Sequence, residues 1–203
     1  MHSEATDLHQ QRLHKVLALL KVSGAHSVLD LGCGSGALLA CLLADIQFAR
    51  ILGVEQSGIG LVQAKQRLAE PMAANPGRLE LVCASYTERS SRFIGFDAAA
   101  MVETIEHVPS ARLSEVEQAV FGFYRPGMLV MTTPNREYNP LFDLAPGEFR
   151  DEDHWFEWDR AKFRQWGLGI ARRHGYRVTF GGVGEEHPYL GHPTQLAQFV
   201  RQS

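Results

Sequence analysis

Apolar positions change period repeatedly along this chain, and the changes mark its elements. Leu13, Val16, Leu17 and Leu20 recur at helical spacing and predict an amphipathic helix over about 6–22 that stops at Ser23-Gly24. His26–Leu31 then reads as a buried strand, and Ala37–Ala44 follows as an apolar helix. The alternation then repeats: strand Arg50–Val54 ending in Glu55, helix Ile59–Leu68 with Pro71 beyond its end, and strand Arg78–Cys83. Next come strand Phe96–Val102, a helix opened by Pro109-Ser110 and burying Leu113, Val116, Val120 and Phe123, and strand Met128–Thr132 after Arg125-Pro126-Gly127. Strands alternating with helices predict a parallel sheet of the α/β class. Asp159 is set to cap a helix with Phe163, Trp166 and Ile170 on one face, ending at His174-Gly175. Tyr176–Gly181 and Gln195–Val200 read as a closing antiparallel hairpin.

Two of the turns carry candidate chemistry. Asp30-Leu31-Gly32-Cys33-Gly34-Ser35-Gly36 joins the first buried strand to a helix N-terminus, where glycines let a ligand approach the backbone and free N–H groups point at it. Asp30 would repel a dinucleotide's pyrophosphate, and the spacing is GxGxG rather than GxGxxG. S-adenosylmethionine has no phosphate and brings an ammonium and a sulfonium, so it suits this loop. Glu55, about twenty residues past the glycines at the tip of the second strand, is placed to accept hydrogen bonds from both ribose hydroxyls. Ser85, at the end of the third strand, is either an adenine contact or a turn residue.

The fourth strand delivers Glu103, Glu106 and His107 to the carboxyl edge of the sheet, where open α/β sheets bind ligands. In one helical turn these three would share a face, and two carboxylates with a neutral imidazole suit a divalent cation such as Mg²⁺ or Mn²⁺. The alternative is a solvated helix start with both acids at the positive end of the dipole. Downstream, residues 133–158 form an irregular stretch too long for a simple connection. It is acidic (Asp143, Glu148, Asp151, Glu152, Asp153, Glu157), with Arg150 and His154 among the acids. Phe149, Trp155, Phe156 and Trp158 are expected to pack, with some able to stack on a base.

Composition narrows the reading. The chain has 203 residues, 45% of them hydrophobic, as expected for one globular α/β domain over 1–203 with a core from about 26 onward. A net charge of −3 argues against broad binding along a nucleic-acid duplex but not against gripping a strand's end. No apolar run approaches the roughly 20 residues of a membrane span and no leader pattern opens the chain, so a cytosolic, cytoplasmic location without membrane contact is expected. Cys33, Cys41 and Cys83 lack CxxC spacing and are expected to be reduced core thiols.

The glycine loop resembles the first motif of class I S-adenosylmethionine-dependent methyltransferases. Glu103-Thr104-Ile105-Glu106-His107-Val108-Pro109 and Thr132-Thr133-Pro134-Asn135 occur in several methyltransferase groups and are not diagnostic. More specific is Phe149-Arg150-Asp151-Glu152-Asp153-His154-Trp155-Phe156-Glu157-Trp158. With Pro134-Asn135-Arg136-Glu137-Tyr138-Asn139 and Gly191-His192-Pro193-Thr194-Gln195, it resembles the methyltransferase domain of the small-RNA 3′-terminal 2′-O-methyltransferases, including bacterial RNA-repair members. The resemblance runs from about Val28 onward. It implies a Rossmann-like fold: a seven-stranded, mostly parallel sheet with helices on both faces and a C-terminal antiparallel hairpin. It also implies a metal held by Glu103, Glu106, His107 and His154, and S-adenosylmethionine bound by Gly32, Gly34, Gly36 and Glu55 with Asp30 and Ser85 nearby. The implied partner is an RNA 3′ end with free 2′- and 3′-hydroxyls, and His107 or His154 is a candidate proton acceptor. An RNA-repair end-healing partner and a monomeric domain are expected as well. Thr87-Glu88-Arg89-Ser90-Ser91-Arg92 is less basic than the corresponding segment of many bacterial members. Repair-type members tend to carry a further N-terminal domain, so the chain is expected to be an excised domain or a stand-alone version. Two other readings compete: a small-molecule O-methyltransferase acting on a catechol-like diol, and a cofactor-binding regulatory module without turnover.

Overall fold

The computed structural model describes residues 2–142, 144–145 and 147–202, with the backbone alone for 2–6. Asp143, part of the acidic stretch noted above, lies outside the described residues. Helix α1 (His2–Val22) precedes β1 (Ser27–Leu31), α2 (Ala37–Leu43), β2 (Arg50–Glu55), α3 (Gly58–Arg67), α4 (Ala69–Ala74) and β3 (Leu79–Cys83). Then follow β4 (Ala98–Val102), α5 (Leu113–Val116), which runs on into a π-helical segment (Glu117–Tyr124), and β5 (Met128–Pro134). Helix α6 (Arg160–His174), β6 (Tyr176–Val183) and β7 (Thr194–Arg201) complete the chain.

The strands form one seven-stranded sheet in the order β3-β2-β1-β4-β5-β7-β6. All neighbours are parallel up to β5, and β7 pairs antiparallel with both β5 and β6. The largely apolar central strands follow from burial on both faces. Val28, Ala98, Ala100, Met128 and Val130 face α1 and α2 through Leu13, Val16, Leu20, Leu39 and Leu42. The alternate residues Leu29, Leu31, Ala99, Met101, Leu129 and Met131 face Val116, Val120, Phe121, Phe163 and Ile170. Among the described residues no helix is long and apolar enough to cross a membrane.

Local chemistry sets the element ends. Ser57 accepts a hydrogen bond from Gly60 N at 3.2 Å to cap α3, and Asp159 accepts one from Lys162 N at 2.6 Å to cap α6. Helix α6 ends on Arg172, Arg173 and His174, followed by Gly175 at φ 72°, a left-handed stop.

Several expectations change in detail. Pro71 lies inside the additional helix α4, where the first turn tolerates a missing N–H. Strand β6 extends to Val183 because it pairs with β7 as far as Thr194. Residues 136–142 of the irregular stretch wind into a 3₁₀ segment, Arg136–Phe142. Trp155 is 63% exposed, while Phe156 and Trp158 are buried and stacked at 4.5 Å. Cys33 is buried, but Cys83 is exposed at the end of the edge strand β3.

Candidate active site

The carboxyl ends of β1, β2 and β4 open onto a cleft of about 340 Å³ lined by Gly32, Gly34, Glu55, Ser85, Thr104 and His107, among others. Gly32 has φ 78°, and a Cβ there would collide with the Thr104 side chain, so only glycine fits the turn. Gly36, at φ 79°, packs against Leu68 and Ala64, where a Cβ would approach Leu68 Cδ1 to 2.8 Å. Glu55 accepts hydrogen bonds from Gly34 N at 2.9 Å and Ser57 N at 2.7 Å, which aim its carboxylate along the cleft wall. Of the six residues expected around a cofactor, Gly32, Gly34, Glu55 and Ser85 line this cleft. Gly36 and Asp30 are buried behind it. Ser85 also braces its turn, with Oγ 2.7 Å from Thr87 Oγ1. Asp30 is almost fully buried with one oxygen unpartnered; burial, then the charge of Glu55, pushes its pKa up to about 7.

Glu103, Glu106 and His107 do not share a helical face. Glu103 sits in the left-handed region at φ 48°, outside the single 3₁₀ turn Ile105–His107, because its N–H remains bonded to Thr132 O at 3.1 Å across the sheet. One Glu103 carboxylate oxygen meets the Arg12 guanidinium of α1 in an ion pair; the other is buried without a partner.

Glu106, His107 and His154 do converge. Each offers a ligand atom, and these atoms lie within 4.8 Å of one another. The His107 and His154 ring centroids are also 4.8 Å apart. Glu106 is fully buried; Thr133 Oγ1 donates to its Oε2 at 3.0 Å, and among the described residues its Oε1 has no partner. Burial, then the Glu103 charge, raises the Glu106 pKa well above the ordinary carboxylate value. Trp155 N donates to Glu106 O at 2.9 Å, tying the loop that carries His154 to the tip of β4.

His154 is oriented by Glu157, whose Oε1 lies 2.7 Å from Nδ1, so Nε2 is the nitrogen left for a ligand. Glu157 in turn accepts from Asn139 Nδ2 at 2.5 Å and Arg150 N at 2.8 Å. Burial opposes ionisation of Glu157, but these hydrogen bonds outweigh it and hold its pKa below the ordinary value. Arg150 donates to Asn139 Oδ1 at 2.8 Å, Pro193 O at 2.8 Å and Asn135 O at 2.5 Å, joining the loop to the ends of β5 and β7. Glu157, Asn139, Arg150, Thr133 and Arg12 were not singled out by sequence as site residues. The one available signal was the density of charged residues around His154.

A buried Glu106 oxygen that has no partner among the described residues, beside two imidazoles, forms a donor set that fits a borderline divalent cation. In water-poor surroundings such an oxygen is costly without a partner.

The sheet order, the glycine turn after β1 and the acid at the tip of β2 define a Rossmann-like class I methyltransferase fold. A family model described as a methyltransferase domain matches residues 29–127. Among solved structures, the methyltransferase domain of bacterial CtHen1 superposes with a TM-score of 0.87 at 41% identity, covering 97% of this chain and 100% of that one. The small-RNA methyltransferase HEN1 superposes at 0.90 with 33% identity, covering 96% and 25%. The mouse (Mus musculus) small RNA 2′-O-methyltransferase is 37% identical over 205 residues, 96% of this chain and 51% of that protein. The chain belongs to the small-RNA 2′-O-methyltransferase family and corresponds to its methyltransferase domain. It spans about half the length of the mouse relative.

Proposed function

We propose that this chain transfers the methyl group of S-adenosylmethionine to the 2′-oxygen of the 3′-terminal nucleotide of RNA, with a divalent cation, Mn²⁺ or Mg²⁺, in its site. The observation that carries this reading is the convergence of Glu106, His107 and His154 beside a cofactor-sized cleft, with an unsatisfied oxygen on Glu106. The 33–41% identity to small-RNA methyltransferase domains supports RNA as the acceptor.

Glu55 accepts the cofactor's ribose hydroxyls, and the Gly32–Gly34 turn admits the methionine portion against the backbone. Glu106, His107 and His154 would hold the cation, joined by Glu103 once it leaves Arg12. Bound there, the cation would act as a Lewis acid toward the vicinal hydroxyls and lower the pKa of the 2′-OH. Glu157 keeps His154 in one tautomer and one orientation. The 2′-oxygen forms its bond to the methyl carbon as the carbon–sulfur bond breaks and its electron pair leaves on sulfur. The hydroxyl proton goes to solvent water, and S-adenosylhomocysteine and the 2′-O-methyl end are the products. With both hydroxyls needed at the site, an internal ribose, whose 3′-oxygen is esterified, would be excluded.

Methyl transfer from labelled S-adenosylmethionine to a short RNA with a free 3′ end tests the reading, compared with the same RNA carrying a 3′-phosphate and with a catechol. Only the free RNA end should be methylated, and Glu106→Gln should lose at least about a hundredfold in turnover while still binding cofactor. Methylation of the 3′-phosphate end, or of the catechol in preference to RNA, would overturn it.

A further inference from the structure

A second cavity, of about 190 Å³, lies at the same rim of the sheet, beyond the loop that carries His154. Arg160 and Arg164 of α6, Phe180 of β6, and His192 and Thr194 at the start of β7 line it. Thr194 pairs with Pro134, so it stands at the carboxyl end of β5, two strands from the Glu103 tip of β4. At ordinary strand spacing that is roughly 10 Å along the rim.

This cavity is built rather than incidental. A Cβ at Gly182 would overlap the His192 ring, one at Gly184 would overlap Pro193, and one at Gly191 would press on Arg160 at 3.1 Å. Those three glycines let the Gly191–Gln195 segment lie flat against β6. His192 Nδ1 is 2.9 Å from Gly184 O, which leaves Nε2 for other contacts. Thr194 is fully buried, and among the described residues its hydroxyl has no hydrogen-bond partner. Arg164 stacks over Phe180 at 5.2 Å and, among the described residues, makes no ion pair. Arg160 is engaged by Glu137 and by Tyr189 O at 2.7 Å, and the exposed Glu186 lies 3.8 Å from His192 Nε2. The Arg164 guanidinium, free of an ion pair among the described residues, and the orphaned Thr194 hydroxyl together suit a phosphate, which accepts from both.

We propose that this cavity receives a backbone phosphate of the RNA strand a few nucleotides upstream of the methylated end. Resting on the function proposed above, the proposal adds a second grip that fixes strand direction, with Arg164 and Thr194 as binding residues. A strand seated in both places would cross the loop between them, so RNA too short to reach the cavity gains nothing from it.

Fluorescence anisotropy of a single-stranded RNA of about ten nucleotides against the full chain tests this. Arg164→Gln, at an exposed helix position, should weaken binding about tenfold and lower the slope of log affinity against log salt by about 0.7. Thr194→Val should weaken it about threefold. Methylation of a dinucleotide should be unchanged in both variants. Unchanged affinity and salt slope for the longer RNA, with methylation intact, would overturn the second grip and leave the proposed reaction standing. An equal loss for dinucleotide and longer RNA would also overturn it, as a general distortion of the site. A wild-type chain that neither binds nor methylates RNA of any length would overturn both. A wild-type chain that methylates RNA while Arg164→Gln impairs only capture of an acidic peptide would assign the cavity to protein instead.

Discussion

His154 and Glu157 form one hydrogen-bonded unit, with Nδ1 of the ring 2.7 Å from the carboxylate three residues along. The carboxylate is itself pinned by Asn139 and the Arg150 N–H, so the ring is held before any ligand arrives. Glu157→Gln keeps the shape but removes the charge and turns an amide N–H₂ toward one of these donors. Metal affinity measured by calorimetry and turnover should both fall about 10- to 100-fold, with cofactor affinity unchanged. Undiminished metal binding would show that the pairing is merely structural.

Arg12 neutralises Glu103 through their ion pair. Removing it leaves a cluster of partly buried acids without its counter-charge, so Arg12→Gln should lower the melting temperature of the metal-free protein. Addition of Mn²⁺ should raise the melting temperature of the variant more than that of the wild type, because the cation then has no guanidinium to displace. Equal shifts in the two proteins would refute this role.

Asp30 gives stability a defined pH dependence. Its pKa is raised from 3.8 to about 7 by burial, then by Glu55, so the folded chain holds a proton there that the unfolded chain releases above 3.8. The associated stability is fully present below 3.8 and is lost as pH rises through about 7. Asp30→Asn removes this dependence. Denaturant titrations of the cofactor-free proteins should show the variant gaining on the wild type between these limits, by no more than about 4 kcal/mol, with a constant difference above them. A difference that does not change with pH would contradict the assignment.

Gly32→Ala places a methyl group against Thr104 and asks alanine to adopt φ 78°. The variant should lose more than about 1 kcal/mol of stability and bind S-adenosylmethionine at least tenfold more weakly. Wild-type cofactor affinity by calorimetry would argue against a close backbone approach at this turn.

Much of this architecture was legible because burial on both faces and capping are local signals. The strand read over His26–Leu31 and the apolar run from Ala98 to Val102 identified central strands, and Asp159 and Gly175 marked both ends of α6. The tip of β4 was harder to read. A helical turn over Glu103–His107 satisfied the spacing, but the bond from Glu103 N to Thr132 O keeps that residue on the sheet and forces the left-handed kink. His154 came only from resemblance to a family, since nothing local brings a residue forty-eight positions downstream beside Glu106. The Arg150 network and the bond from Trp155 N to Glu106 O do so, and such long-range hydrogen bonds leave no periodic trace. Grouping the loop's aromatics likewise missed that Trp155 points outward while Phe156 and Trp158 pack.

The Arg150 staple also divides its loop into two regimes of evolutionary freedom. Downstream of it, from Asp151 to Trp158, a single inserted residue would shift His154 out of register with Glu106. Upstream, among the described residues, the hydrogen bonds of Ala145 and Glu148 join only each other, so insertions there should leave the Glu106–His107–His154 cluster in place. Engineered insertions should therefore be tolerated first just before the arginine.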